Sequence, residues 1–271
     1  MAAITVSRSR QPSPASGPYT SRPVSGHSKW HSIKHKKAVV DARRGQQFTK
    51  LARAITVAAR EGGDPEANST LALAVQKAKD ASMPKDNIER AIAKGTGEGS
   101  DTDQIQTVNY EGYGPGGVAL LIEALTDNRN RTGAEIRHAF AKQGGSLGEP
   151  GSVSYLFDKR GVITVDASRY DEDDLMPAID AGAQDIARDD DVLEVICEPG
   201  DVPAVREALE RADVEIESAD VAQRPRSRVP VQEDAAPRLM RLIDALEELD
   251  DVAAVHANFD IEAGVLERIA S

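Results

Sequence analysis

The apolar residues of this 271-residue chain change their period once, near residue 104. Between Lys34 and Gly95 they recur at helical spacing. Phe48, Leu51, Ala52, Ile55 and Ala59 fall at i, i+3, i+4, i+7 and i+11, which places them on one face. Gly62-Gly63-Asp64-Pro65 stops that helix, and Leu71, Ala74, Val75 and Ala78 begin a second stripe. A third helix has Pro84 near its first turn, Ile88, Ala91 and Ile92 inward, and Gly95 at its end. Helices this short are marginal alone, so a bundle is the smallest arrangement that buries all three stripes. Gly95-Thr96-Gly97-Glu98-Gly99-Ser100 then reads as a linker.

Beyond the linker the period is two. Gln104–Tyr110 and Val118–Leu125 read as strands joined through Gly112-Tyr113-Gly114-Pro115-Gly116-Gly117. A helix carrying Ile136, Ala139 and Phe140 follows, then a strand around Val153–Phe157. The next stretch orders as strand (Val162–Val165), helix (Asp171–Ala181), strand (Gln184–Ala187), strand (Val192–Cys197), helix (Val202–Ala212) and strand (Val214–Ser218). That β-α-β-β-α-β order is ferredoxin-like. Arg224-Pro225-Arg226-Ser227-Arg228 reads as a linker or edge. A final helix turns Leu239, Leu242, Ile243, Leu246 and Leu249 inward, and a strand lies near Ala254–Phe259. One helix and one strand cannot make a domain, so they complete the unit begun at residue 104. The expected fold is therefore multidomain α and α+β. A basic helical bundle (25–100) precedes a discontinuous α+β domain (101–159 with 223–271), into which a ferredoxin-like domain (160–222) is inserted.

Charge divides the chain in the same place. The formal net charge is −12, yet residues 1–100 hold 17 Lys and Arg against 8 Asp and Glu. The rest holds 16 against 37. The positive charge concentrates between Ser25 and Arg60, in Lys29, Lys34, Lys36, Lys37, Arg43, Arg44, Lys50, Arg53 and Arg60, with Asp41 the one acid. Cations this dense release counterions when they meet phosphates, so the stretch points to a polyanion-binding module on an acidic carrier. Lys50, Arg53 and Arg60 fall off the apolar stripe, which leaves them for phosphate. A second cluster, Arg129 and Arg131 with Arg137, His138 and Lys142, opens a helix, where the dipole also favours anions. Trp30 either stacks on a base or belongs to a core.

Other classes find little support. Gly112, Gly114 and Gly117 satisfy G-x-G-x-x-G, but a strand follows rather than a helix and Pro115 removes a donor, so the run is a strand connection. His27, His31 and His35 share a helical spacing, but Lys29 and Lys34 oppose a dication and no acid pair or cysteine completes a ligand set. No nucleophile–base pair or hydrolase, zincin or P-loop motif is present, which argues for a protein without catalysis, cofactor or metal. Cys197, the single cysteine, lies in a strand and reads as a buried thiol. No apolar run approaches the roughly 18 residues of a membrane span. The ferredoxin-like strands lack the aromatics of an RNA-recognition sheet.

The residues themselves resemble a family. Gly26-His27-Ser28-Lys29-Trp30, Ile33-Lys34-His35-Lys36-Lys37-Ala38, Phe48-Thr49-Lys50-Leu51 and Gly63-Asp64-Pro65-Glu66-Ala67-Asn68 are similar to the amino-terminal region of YebC-family proteins. So are Met83-Pro84-Lys85-Asp86-Asn87-Ile88-Glu89-Arg90-Ala91, Tyr110–Gly117 and Thr126-Asp127-Asn128-Arg129-Asn130-Arg131-Thr132. The resemblance covers residues 25–271 and departs at His31 and Ser32. It implies three domains and a cytoplasmic protein, described in the family as a probable transcriptional regulator that binds DNA. Mitochondrial relatives are translational activators and bacterial ones are linked to relief of ribosome stalling. That implies the alternative of a ribosome-associated translation factor contacting ribosomal or transfer RNA. Residues 1–24, rich in Ser, Pro and Arg and free of acids, are expected to be a disordered extension, and its origin has two readings. In one they are an organellar transit peptide. In the other Val24 is the initiator, decoded from a GUG start, and the preceding residues are an annotation artefact.

Overall fold

The computed structural model describes Trp30 and residues 42–97, 105–189 and 191–270, with the side chains of 42–44, 189, 263, 267 and 270 outside the description. The histidine trio, the extension at 1–24 and the second half of the predicted linker lie outside the described residues.

Three helices come first: α1 (Ala42–Ala58, continued by a 3-10 turn to Glu61), α2 (Ser69–Asp80) and α3 (Lys85–Gly95). Leu51, Ile55, Leu71, Val75, Ala78, Ile88 and Ala91 share one buried cluster, which is the bundle predicted from the 3.6 period. Asn68 stitches the first two helices together. Its Oδ1 caps α2 by accepting from the Leu71 N–H at 3.0 Å, and its Nδ2 donates to Ala58 O (2.8 Å) and Gly62 O (2.9 Å) at the end of α1. One buried amide thus satisfies both a start and a stop.

Gly95 lets α3 lie against α1. A Cβ there would stand 2.4 Å from Thr56 O and 2.6 Å from Ala59 Cβ, neither of which can swing away. Gly95→Ala is expected to destabilise the protein by about 1–3 kcal/mol through overpacking. This loss would outweigh the roughly 1 kcal/mol that alanine gains in helix propensity. A chemical denaturation midpoint at or above wild type would show that the helices separate freely.

The first sheet has the order β3-β1-β2-β9, antiparallel throughout, from β1 (Gln106–Tyr113), β2 (Ala119–Thr126), β3 (Ser146–Leu147) and β9 (Val252–Ala257). The connection between β1 and β2 is the glycine-rich run, with Gly116 (φ 76°) and Gly117 (φ 74°) both in the left-handed region that excludes most side chains. β2 is central and buried on both faces. Leu120 and Ile122 join the main core with α4 (Arg129–Gln143) and α7 (Ala236–Glu247), while Ala119 and Leu121 pack on Val153 and Phe157. Trp30, 3% exposed, belongs to the main core and not to the bundle nearest it in sequence.

The second sheet has the order β5-β6-β4-β7, also antiparallel, from β4 (Phe157–Asp166), β5 (Ala183–Asp189), β6 (Val192–Cys197) and β7 (Ile216–Pro225). Helices α5 (Met176–Asp180) and α6 (Val202–Arg211) are part of the core formed with Ile163, Val165, Leu193 and Val195. A parallel pair, β8 (Val229–Pro230) with β10 (Phe259–Asp260), and α8 (Ala263–Ala270) complete the chain. Mixed helix and sheet in several layers agrees with the α+β class.

Two local expectations need correction. The helix expected over Asp171–Ala181 is confined to Met176–Asp180, because the aspartates bond backbone instead. Asp171 Oδ1 accepts from the N–H groups of Asp173 and Asp174, and Asp174 Oδ2 accepts from that of Asp171. The strand expected at Val153–Phe157 starts only at Phe157. The buried Glu111 carboxylate takes the N–H groups of Val153 (2.6 Å) and Ser154 (2.8 Å), which a ladder would have needed. Arg224-Pro225, read as linker or edge, ends β7, an edge strand of its sheet, with Arg224 opposite Asp158.

Candidate nucleic-acid interface

Of the cations in the basic stretch, Lys29, Lys34, Lys36 and Lys37 lie outside the described residues. Arg43 and Arg44 occupy the first turn of α1, their side chains outside the description. Arg60 donates to Ile105 O within the protein, and Lys50 and Arg53 are likewise described and engaged. With Gln46 they form one face of α1 at i, i+4 and i+7, and that face docks on the end of α7. Lys50 Nζ donates to Glu247 O and Gln46 Nε2 to Glu248 O. The last carbonyls of α7 have no intrahelical partners and sit at the negative end of its dipole, so a lysine from another element is a fitting cap. Burial holds the Lys50 ammonium below the usual lysine range, against the raising pull of Glu247 and Asp250.

Arg53 donates to Asp250 O at 3.0 Å and to the Asp251 carboxylate. Asp251, 3% exposed, is the hub of the region. Its Oδ2 accepts from Thr126 Oγ1 (3.0 Å), Thr132 Oγ1 (2.6 Å) and Arg131 Nη2 (2.7 Å). Burial alone would raise this carboxyl. The hydrogen bonds from Thr132, Arg131, Thr126 and Arg53 outweigh burial and bring it down to about 2. Arg131 also donates to Asp127 at 2.8 Å, and its two acid partners, Asp251 first, raise its already high pKa. The two basic clusters that the sequence separates by about eighty positions therefore meet on a single carboxylate.

This changes the reading of Lys50 and Arg53. Being off the packing stripe of the bundle does not leave them free, since that second face holds α1 against α7 and β9. Arg129 is exposed at the start of α4, where Asn128 Oδ1 caps the Arg131 N–H (3.1 Å) and the Tyr110 hydroxyl donates to Arg129 O (2.9 Å). Arg137, His138 and Lys142 are exposed along the same helix. Asp251 was not legible as a site residue, because an acid run after an amphipathic helix reads as solvated surface and its partners lie far away in sequence.

Among the described residues no group of three or more His, Cys, Asp or Glu could hold a metal ion. Cys197 is buried, and burial, with Asp201 and Glu198 nearby, pushes its thiol up to about 11, so it is not a nucleophile at neutral pH. Among the described residues no helix is long and apolar enough to cross a membrane.

Known proteins place the chain. Residues 28–98 match the model of the TACO1/YebC protein N-terminal domain, and residues 105–259 that of the TACO1/YebC second and third domain. A protein from Rubrobacter xylanophilus, named "Probable transcriptional regulatory protein", is 55% identical over 249 residues, covering 91% of this chain and all of its own. One of the same name from Acidothermus cellulolyticus is 54% identical over the same shares. The crystal structure of a conserved hypothetical protein from Aquifex aeolicus superposes with a TM-score of 0.76 at 49% identity, over 85% of this chain and 96% of that one. With both models matched across most of its length, the chain belongs to the TACO1/YebC family.

Proposed function

We propose that this protein is a cytoplasmic nucleic-acid-binding regulator, a non-enzymatic transcriptional regulator that grips DNA through its helical domain. The observation that carries the reading is the concentration of nine cations against one acid over residues 25–60 of a chain whose net charge is −12. The names of the relatives agree with it. Lys29, Lys34, Lys36, Lys37, Arg43 and Arg44 are the primary phosphate ligands. Arg129 extends the surface at α4. Lys50, Arg53 and Arg131 join only when phosphate displaces the acids and carbonyls between Glu247 and Asp251 and, for Arg131, Asp127 as well. The three largest buried clusters support a division into a helical domain (25–100), an α+β domain (101–159 with 223–271) and an inserted domain (160–222). The sheet order β5-β6-β4-β7 supports reading the insert as ferredoxin-like.

The second reading is a ribosome-associated translation factor whose same cations meet ribosomal or transfer RNA. It is favoured by the lack, in the sequence, of a helix-turn-helix pattern with base-reading side chains. Density-gradient fractionation of the native protein, with and without nuclease, separates the two. The regulator reading expects enrichment on chromosomal fragments. Comigration with ribosomes without that enrichment would overturn it in favour of the second.

A further inference from the structure

A cleft of about 480 Å³ opens between α1, α3 and the start of β1, inside the roughly 300–1,000 Å³ range of small-ligand sites. Its lining divides by chemistry. Phe48 and Met83 form an apolar wall, while Arg53, Arg90 and Lys94 bring positive charge and Asp127 is the one acid. Arg53 is already committed to Asp250 and Asp251, Asp127 to Arg131, and Lys94 has a partner of its own. Arg90 differs. It is exposed, and its Nε donates to Asp86 O (3.1 Å) and its Nη2 to Asn87 Oδ1, both within its own helix. Both acceptors are neutral, so these bonds fix the guanidinium at the cleft without cancelling its charge, and its remaining donors are available to a ligand.

An apolar wall beside a fixed guanidinium suits a flat base with a phosphate next to it. An acidic peptide would answer the cations and leave the wall unused. A duplex must first unstack and unpair a base, at a cost of a few kcal/mol, before it can offer one to a cleft, whereas a single strand need not. We infer that this cleft receives one unpaired nucleotide of a single-stranded nucleic acid, its base against Phe48 and Met83 and its phosphate on Arg90. The inference rests on the nucleic-acid reading above and adds a preference for single strands, with α1 carrying the basic stretch into the cleft wall.

The test uses the full chain with short labelled single-stranded RNA, single-stranded DNA and a blunt duplex of the same sequence. Arg90→Glu is expected to weaken single-strand binding by about tenfold, the loss of one charge-assisted contact, and to leave the duplex unchanged. A 4-thiouridine strand should photo-crosslink to peptides containing Phe48 or Met83. The RNA and DNA arms show which sugar the site takes, and a preference for either supports it. The assignment is overturned if Arg90→Glu changes neither single-strand nor duplex binding, or both equally. It is also overturned if crosslinks map only elsewhere, or if poly-glutamate binds in an Arg90-dependent way and oligonucleotides do not. Silence of Arg90→Glu beside a total loss on charge reversal in residues 36–44 would sink the cleft alone. Failure of the wild type to bind any nucleic acid would sink the broader reading with it.

Discussion

Asp251→Ala is expected to lower stability by about 2–4 kcal/mol and to loosen the helical bundle from the sheet it docks on. The cost follows from what the carboxylate holds. Thr126 and Thr132 are almost wholly buried and would lose an acceptor, while Arg53 and Arg131 would lose their shared counter-charge. Removing one member of a buried pair costs about 3–5 kcal/mol, and the partial exposure of both arginines reduces that here. Trp30, in the core that α7 shares, gives a fluorescence readout of that unit, and circular dichroism follows the helices.

The same group sets a pH dependence whose sign is fixed. Its folded carboxyl titrates at about 2, below its ordinary value of 3.8. The stabilisation is therefore present above pH 3.8 and is lost as pH falls towards 2, with the arginines protonated throughout. The shift corresponds to about 2 kcal/mol. Glu111, Glu123 and Asp158 are also held below the usual carboxylate range, so acid weakens the wild type through several groups. The difference between wild type and Asp251→Asn isolates this one. Parallel stability curves for the two proteins below pH 4 would show that the hub contributes nothing.

The larger effect on binding should come from reversing Lys36, Lys37, Arg43 and Arg44 to glutamate together. Each phosphate contact contributes about 0.9 to the slope of log affinity against log salt on duplex DNA, so losing four should flatten it by about 3 to 4. The reversed charges add repulsion, and binding should fall below detection at 0.1 M salt, where the Debye length is about 10 Å. Unaltered Trp30 fluorescence would show that the fold is kept. Unchanged affinity would mean that the stretch is only a solvated face and that the phosphate ligands lie elsewhere, with Arg129 and the rest of the α4 row next to be tested.

The parts of the fold that local chemistry governs could be read in advance. The stripe of Leu51, Ile55 and Ala59 is buried as its period requires, and Val192–Cys197 is a strand with the bounds its apolar run suggests. Misreadings fall where a distant or competing partner takes a backbone group. Glu111 diverts the N–H groups of Val153 and Ser154, and the aspartates near residue 171 cap one another. The last helix carried a signal that was missed, since Val265, Leu266 and Ile269 recur at helical spacing and pack on the main core. Asp251 had none, and for Trp30 the sequence left a base and a core as equal alternatives. Each is placed by residues that become neighbours only after the sheets have formed, so no window around it could reveal its role. The cleft beside Arg90 is hidden for the same reason, being shared by two helices and the strand that follows them.

The register of the first sheet has a consequence for synthesis. β2 pairs on one side with β1, just before it in the chain, and on the other with β9, where Leu120 faces Ala257. During translation the hairpin therefore leaves the ribosome long before the strand that covers its open edge. The whole β4–β7 sheet can form in the interval, because its strands are consecutive in the chain. Until β9 arrives, β2 exposes unpaired backbone and a strongly apolar face, the combination that templates intermolecular pairing. Nascent chains that stall or are cut before residue 250 should thus be the aggregation-prone species of this protein. The acids that clasp α1 emerge with the same late segment, so closure of the bundle onto the sheet marks a completed chain.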